Sequence, residues 1–123
     1  MSNLNNNMEF EFHYDTEDDV LSIYSKGSPS ETIEFSENLN IDIDENNRVV
    51  GLEIFDASEF FNVLNKQIDK SFLENLQEVS LEYKEFRNVW HIVVALKVKD
   101  KVVYQPMPLL RKSEYVSPLI LSQ

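Results

Sequence analysis

The chain has 123 residues, 42% of them hydrophobic, and a formal net charge of −11. That is enough apolar material for a packed core and too much for a disordered chain. The absence of cysteine excludes disulfides and thiolate metal sites. The charge is uneven: residues 1–62 hold 15 acids against Lys26 and Arg48, and residues 63–123 hold 7 acids against 9 bases. A half this acidic repels phosphate backbones, so nucleic acid is not an expected partner. No apolar run approaches the ~18 residues of a membrane span. Met1–Asn7 is polar, with no apolar stretch behind a positive charge. No secretory signal or membrane association is therefore expected, and the expected location is the cytoplasm.

Most of the chain alternates with a period of two, the signature of half-buried strands. Glu9–Tyr14 places Phe10, Phe12 and Tyr14 on one face, and Asp15–Asp18 is polar enough to turn. Asp19–Ser25 resumes as a strand, Lys26-Gly27-Ser28-Pro29 breaks it, and Glu31–Phe35 is a third strand. Leu39–Phe55 reads as a hairpin. With Asn46-Asn47 as a two-residue turn, Ile43 pairs with Val50, Ile41 with Leu52 and Leu39 with Ile54. Those six then share one face, while Asn40, Asp42, Asp44, Val49, Gly51 and Glu53 share the other, and a one-residue slip would destroy the match.

A helix is expected next, with Asp56 as its cap, Glu59 completing a capping box, and Phe55 and Phe60 forming a staple. Ser71–Leu76 reads as another short helical turn. Strand patterning then returns. With Arg87-Asn88 as the turn, Tyr83 faces Ile92, Leu81 faces Val94 and Val79 faces Leu96. A Lys99–Lys101 loop leads to Val102–Met107, which Pro106 and Pro108 confine to an edge or a strand end. The apolar tail Tyr115–Leu121 is suited to docking. The expected fold is α+β: antiparallel hairpins with one short helix over residues 8–66, then a three-stranded antiparallel meander over residues 67–123, packed together as one globular domain.

The blocks Phe12-His13-Tyr14-Asp15, Asp18-Asp19-Val20-Leu21-Ser22-Ile23 and Arg48-Val49-Val50-Gly51-Leu52-Glu53-Ile54-Phe55-Asp56-Ala57-Ser58 resemble the domain of unknown function family 2283 over about residues 10–66. The resemblance implies the fold of the acidic half and carries no assigned activity. Some relatives look as if they accompany small toxin-like proteins, which implies an antitoxin-like role.

Several constellations invite a chemical reading. Asp42, Asp44, Asn46, Val49 and Glu53 match the spacing of a calcium loop, but Asn47 stands where that loop needs glycine and the flanks alternate like strands. Asp15, Glu17, Asp18 and Asp19 crowd one turn. Hard-cation ligation is one use for such carboxylates; bonding nearby backbone N–H groups is the other. Glu53 lies between apolar neighbours. If the meander covers its face, it needs a partner such as Arg48, Arg87 or Lys84. Binding residues are therefore sought among Glu53, Asp15, Asp18 and Asp19. His13 and His91 read as half-exposed strand residues. No Gly-x-Ser-x-Gly elbow and no phosphate-cradling loop exists, so no catalytic residue, metal ligand or cofactor is assigned. Trp90 and Tyr83, with Lys84 and Arg87 nearby, mix aromatics with bases as a single-strand binder would, but the alternation turns both rings inward. The preferred reading is a non-enzymatic module for a protein partner or for self-association as a homo-oligomer. The alternative is a metal-binding protein or metal-dependent enzyme using the carboxylates of the acidic half.

Overall fold

The computed structural model describes residues 9–26, 31–108 and 110–111. The breaker at Gly27-Ser28-Pro29 and the tail Tyr115–Leu121 lie outside those residues. The elements in order are β1 (Phe10–Asp15), β2 (Val20–Ser25), β3 (Glu31–Ser36), β4 (Leu39–Ile43), β5 (Val49–Phe55), α1 (Ala57–Leu64), α2 (Lys70–Glu74), β6 (Glu78–Phe86), β7 (Val89–Val98), β8 (Lys101–Pro106) and β9 (Leu110–Arg111). The fold is α+β, with two short helices where the alternation and one capping signal gave one helix and a helical turn.

The strands form two antiparallel sheets. The first has the order β1-β2-β5-β4-β3, and the second has β6-β7-β8 with β9 paired to β7. The β1–β2 hairpin and the β3–β4–β5 meander join where β5 pairs with β2, matching Leu21 to Ile54 and Ile23 to Leu52. In the second sheet Tyr83 faces Ile92, Leu81 faces Val94 and Val79 faces Leu96, as the alternation predicts. Arg87 and Asn88 both adopt positive φ, 53° and 64°, as a two-residue type I′ turn requires.

The first sheet's hairpin differs at its end. Ile41–Leu52 and Leu39–Ile54 pair as expected, but Ile43 meets Val49 across a bulge, and Val49 and Val50 are both buried. The turn is longer than two residues because Asp44 organises it. Its Oδ1 accepts from the Asn46 and Arg48 N–H groups at 2.8 and 2.9 Å, and its Oδ2 meets the Arg48 guanidinium at 2.8 Å. Partial burial works against the ionised Asp44 carboxyl. The two N–H bonds and the arginine charge outweigh it and hold the group below the usual carboxylate range.

One hydrophobic core joins the sheets. It contains Leu21, Ile23, Ile41, Leu52 and Ile54 of the first and Leu81, Trp90, Ile92, Val94 and Leu96 of the second. The Phe35 ring meets Trp90 edge-on, with centroids 5.7 Å apart. The helices belong to the same core through Ala57, Phe61, Leu73 and partly buried Phe72 and Leu76. Of the six apolar residues expected to share a face, Leu39, Ile41, Ile43, Leu52 and Ile54 belong to this core, and across the bulge Val49 takes the place expected for Val50. The segment after α1 is tied to β8 by Asn65 Nδ2 on buried Gln105 Oε1 at 3.2 Å and by Lys101 Nζ on Gln67 Oε1.

Candidate functional site

The crowded acidic turn resolves into separate structural jobs. Asp15 Oδ1 accepts the N–H groups of Glu17 and Asp18 at 2.9 and 3.1 Å, which closes the β1–β2 turn. Asp18 is exposed on that turn. Asp19 turns the other way, with φ at 57°. Its carbonyl oxygen accepts the Ala57 N–H at 2.9 Å, and its carboxylate accepts the Ser58 N–H at 3.1 and 3.2 Å and the Ser58 hydroxyl at 2.7 Å. The Tyr14 hydroxyl donates to the same carboxylate at 2.5 Å.

Asp19 therefore caps α1 from 39 residues away in sequence. Asp56, the expected cap, occupies the N-cap position in the left-handed region, with φ at 51°, and makes no side-chain cap bond. Its backbone bends the chain so that the first N–H groups of α1 point at Asp19, whose negative charge suits a helix N-terminus. Burial, together with the bond to Asp19 and its charge, pushes the Tyr14 hydroxyl well above its usual value of 10.0. A phenol held protonated, donating to a carboxylate whose two oxygens are both engaged, is a clamp and not an acid–base pair poised for neutral pH.

The remaining carboxylates gather on the first sheet's outer face. Residues paired across strands project to the same side. One row runs Glu11, Tyr24, Gly51, Asp42, Thr32, and the next runs His13, Ser22, Glu53, Asn40, Glu34. No lysine or arginine stands in either row. The second sheet packs against the opposite face, so Glu53 is not covered by the meander and its partner is not Arg48, Arg87 or Lys84. Glu53 is half-buried in its own row and accepts from Asn40 Nδ2 at 3.3 Å. Asp42 accepts from the Thr32 hydroxyl at 2.6 Å. Gly51 is the notch in this surface. A Cβ there would stand 2.9 Å from the Ile23 carbonyl oxygen and 3.0 Å from Asp42 Oδ2.

The calcium-loop spacing is not realised in space, because Asp42 and Glu53 stand in different rows and Asp44 is consumed by its turn. Among the described residues no three His, Asp or Glu are gathered to hold a metal ion. His91 is exposed, opposite Lys84, on the second sheet. Trp90 faces the core and Tyr83 is half-buried beside it, as the alternation predicts. Of the four expected binding residues, Asp15 and Asp19 are engaged in the turn and the clamp, Asp18 is on the turn, and Glu53 alone stands in the two rows. The residues missed were Tyr14 and Ser58 as partners of Asp19, and Glu11 and Glu34 as companions of Glu53, whereas Asp42 was already expected on the face of Glu53. The signals were present as the separated Tyr14, Asp19 and Ala57-Ser58, and as the even spacing of acids along each strand.

The chain is similar to known proteins over most of its length. The family model described as Protein of unknown function (DUF2283) matches residues 11–58, which run from β1 to the Ser58 that Asp19 holds. An uncharacterised protein of Methanocaldococcus jannaschii is 30% identical over 107 residues, covering 86% of this chain and 84% of that protein. No solved structure matches.

Proposed function

We propose that this chain, which belongs to the family of proteins of unknown function DUF2283, is a non-enzymatic binding module whose first sheet docks a basic protein on its outer face. The observation that carries the reading is the pair of rows holding Glu11, Asp42, Glu53 and Glu34 with no lysine or arginine in either row. Carboxylates arrayed this way repel one another, and lysines or arginines of a partner relieve that repulsion while steering the encounter. The Thr32 and Asn40 bonds hold Asp42 and Glu53 in fixed positions, so less side-chain freedom is lost on docking. An antitoxin-like role is the finer form of this proposal, with the basic partner being the protein kept inactive. A cytoplasmic location fits the same reading.

The test is affinity capture from host lysate with the wild-type chain and with a variant carrying Glu34→Lys, Asp42→Lys and Glu53→Lys. A basic protein retained at low salt by the wild type, released as salt rises, and not retained by the variant supports the reading. Equal capture by both chains, or no capture by either, overturns it.

A further inference from the structure

An open groove of about 490 Å³ runs between the edge of the first sheet and the edge of the second. One wall is Glu9 to Phe12, at the start of β1, and the other is Gln77 to Ser80, at the start of β6. Successive residues of a strand point to opposite faces, so consecutive residues line one groove only along the strand's edge. The groove therefore presents backbone. Among the described residues β1 pairs with β2 alone, in unbroken register from Phe10 to Asp15. Such an edge is a template for a further strand. Two other edges are blunted, since β3 carries a bulge between Glu34 and Ser36 and β8 ends at Pro106. Across the groove, Val79 is already buried and the Glu78 carboxylate meets Lys97 at 3.5 Å. On the β1 side, Phe10 and Phe12 are only partly buried against the core. Glu9 and Glu11 are exposed there and have no ion pair among the described residues.

We infer that an extended segment of the basic partner docks by adding a strand to the free edge of β1. The inference rests on the proposed docking of a basic protein and names the form that protein takes at the sheet. Cross-strand pairing fixes the chemistry of the added strand. On the outer side its residues stand beside Glu9 and Glu11, and Glu11 heads one of the two acidic rows. Those residues are lysine or arginine. The alternate residues enter the groove beside Phe10 and Phe12, opposite Val79, and are apolar. The occupant is thus a segment in which basic and apolar residues alternate. Its backbone groups pair with those of the β1 edge and supply affinity, while the alternating side chains supply specificity.

Titration of the isotope-labelled full chain with a capped peptide alternating lysine and valine tests it, read by amide chemical shifts in nuclear magnetic resonance. Shifts are expected at the β1 amides, and a peptide alternating glutamate and valine gives none. Glu11→Lys weakens the lysine peptide roughly tenfold. A strand added to one edge turns only every second N–H toward it. N-methylation of the lysine amides and N-methylation of the valine amides therefore have unequal effects. One form loses at least about tenfold in affinity, and the other binds as the parent does. Two methylated forms that behave alike overturn the strand addition; if the Glu34→Lys, Asp42→Lys, Glu53→Lys variant still loses the peptide, the docking face survives that failure. No shift with the parent peptide, or shifts confined to the second sheet, overturns the inference and leaves the capture from lysate to judge the docking face.

Discussion

The first sheet turns Glu11, Glu34, Asp42 and Glu53 outward, whereas the second turns Val93, Ala95, Val102 and Tyr104 outward. Both are antiparallel, and both supply one face to the same core. They also differ in how their ends are held. The second sheet closes through local two-residue turns such as Arg87-Asn88. The first depends on side chains reaching across sequence, with Asp19 to Ser58, Asp42 to Thr32, Asn38 Nδ2 to the Phe55 carbonyl at 2.9 Å, and Asp44 within its turn. The difference teaches that alternation assigns residues to a face without saying what each face will meet. It also teaches that a sheet of acidic strands is tied down by the same residues that make it acidic.

The largest expected effect tests whether the two sheets stand or fall together. Leu96 is fully buried in the second sheet, and Leu96→Ala should cost about 2–5 kcal/mol in urea denaturation. Because the core is shared, fluorescence of Trp90 and far-ultraviolet circular dichroism should report one coincident transition. Separate transitions would split the sheets into independent units. Next in size is the clamp. Asp19→Ala leaves the Ser58 N–H and the Tyr14 hydroxyl without their acceptor and should cost about 2–3 kcal/mol, while Asp18→Ala on the same turn should stay within about 0.5 kcal/mol. Equal losses would show that the turn and not the clamp matters.

Gly51→Ala comes third, at about 1–3 kcal/mol, because the new methyl meets a backbone oxygen that must shift. Thermal melts at neutral pH would measure it. A smaller effect tests the clamp by pH. Tyr14 in the unfolded chain ionises near 10.0, but the folded state keeps it protonated to higher pH. Its contribution is therefore fully present below pH 10 and is lost as pH rises beyond it. Stability should fall more steeply above pH 10 in the wild type than in Tyr14→Phe. Parallel curves would remove Tyr14 from the clamp.

Much of the fold was legible in the sequence because alternation is local. The β6–β7 register and the Ile41–Leu52 and Leu39–Ile54 pairs follow from it directly. The bulge at Ile43 did not, because Asp44 draws Asn46 and Arg48 into a wider turn and shifts the pairing by one residue. The helix start was legible, but its cap was not. Local capping rules choose Asp56, and the residue that does the work is supplied by a hairpin far earlier in the chain. Glu53 was identified as unusual, but its surroundings depended on which face the second sheet would cover. Both faces of β5 are apolar at Val49 and Val50, so its own sequence does not decide that question.

Zero-length carbodiimide coupling of the captured complex, followed by mass spectrometry, tests the central claim most directly. Such coupling joins carboxylates to amines in direct contact. The account predicts that partner lysines couple to Glu11, Glu34, Asp42 or Glu53. Coupling confined to Glu78, Glu82 and Glu85 of the second sheet, with none on the first sheet's outer face, would contradict it.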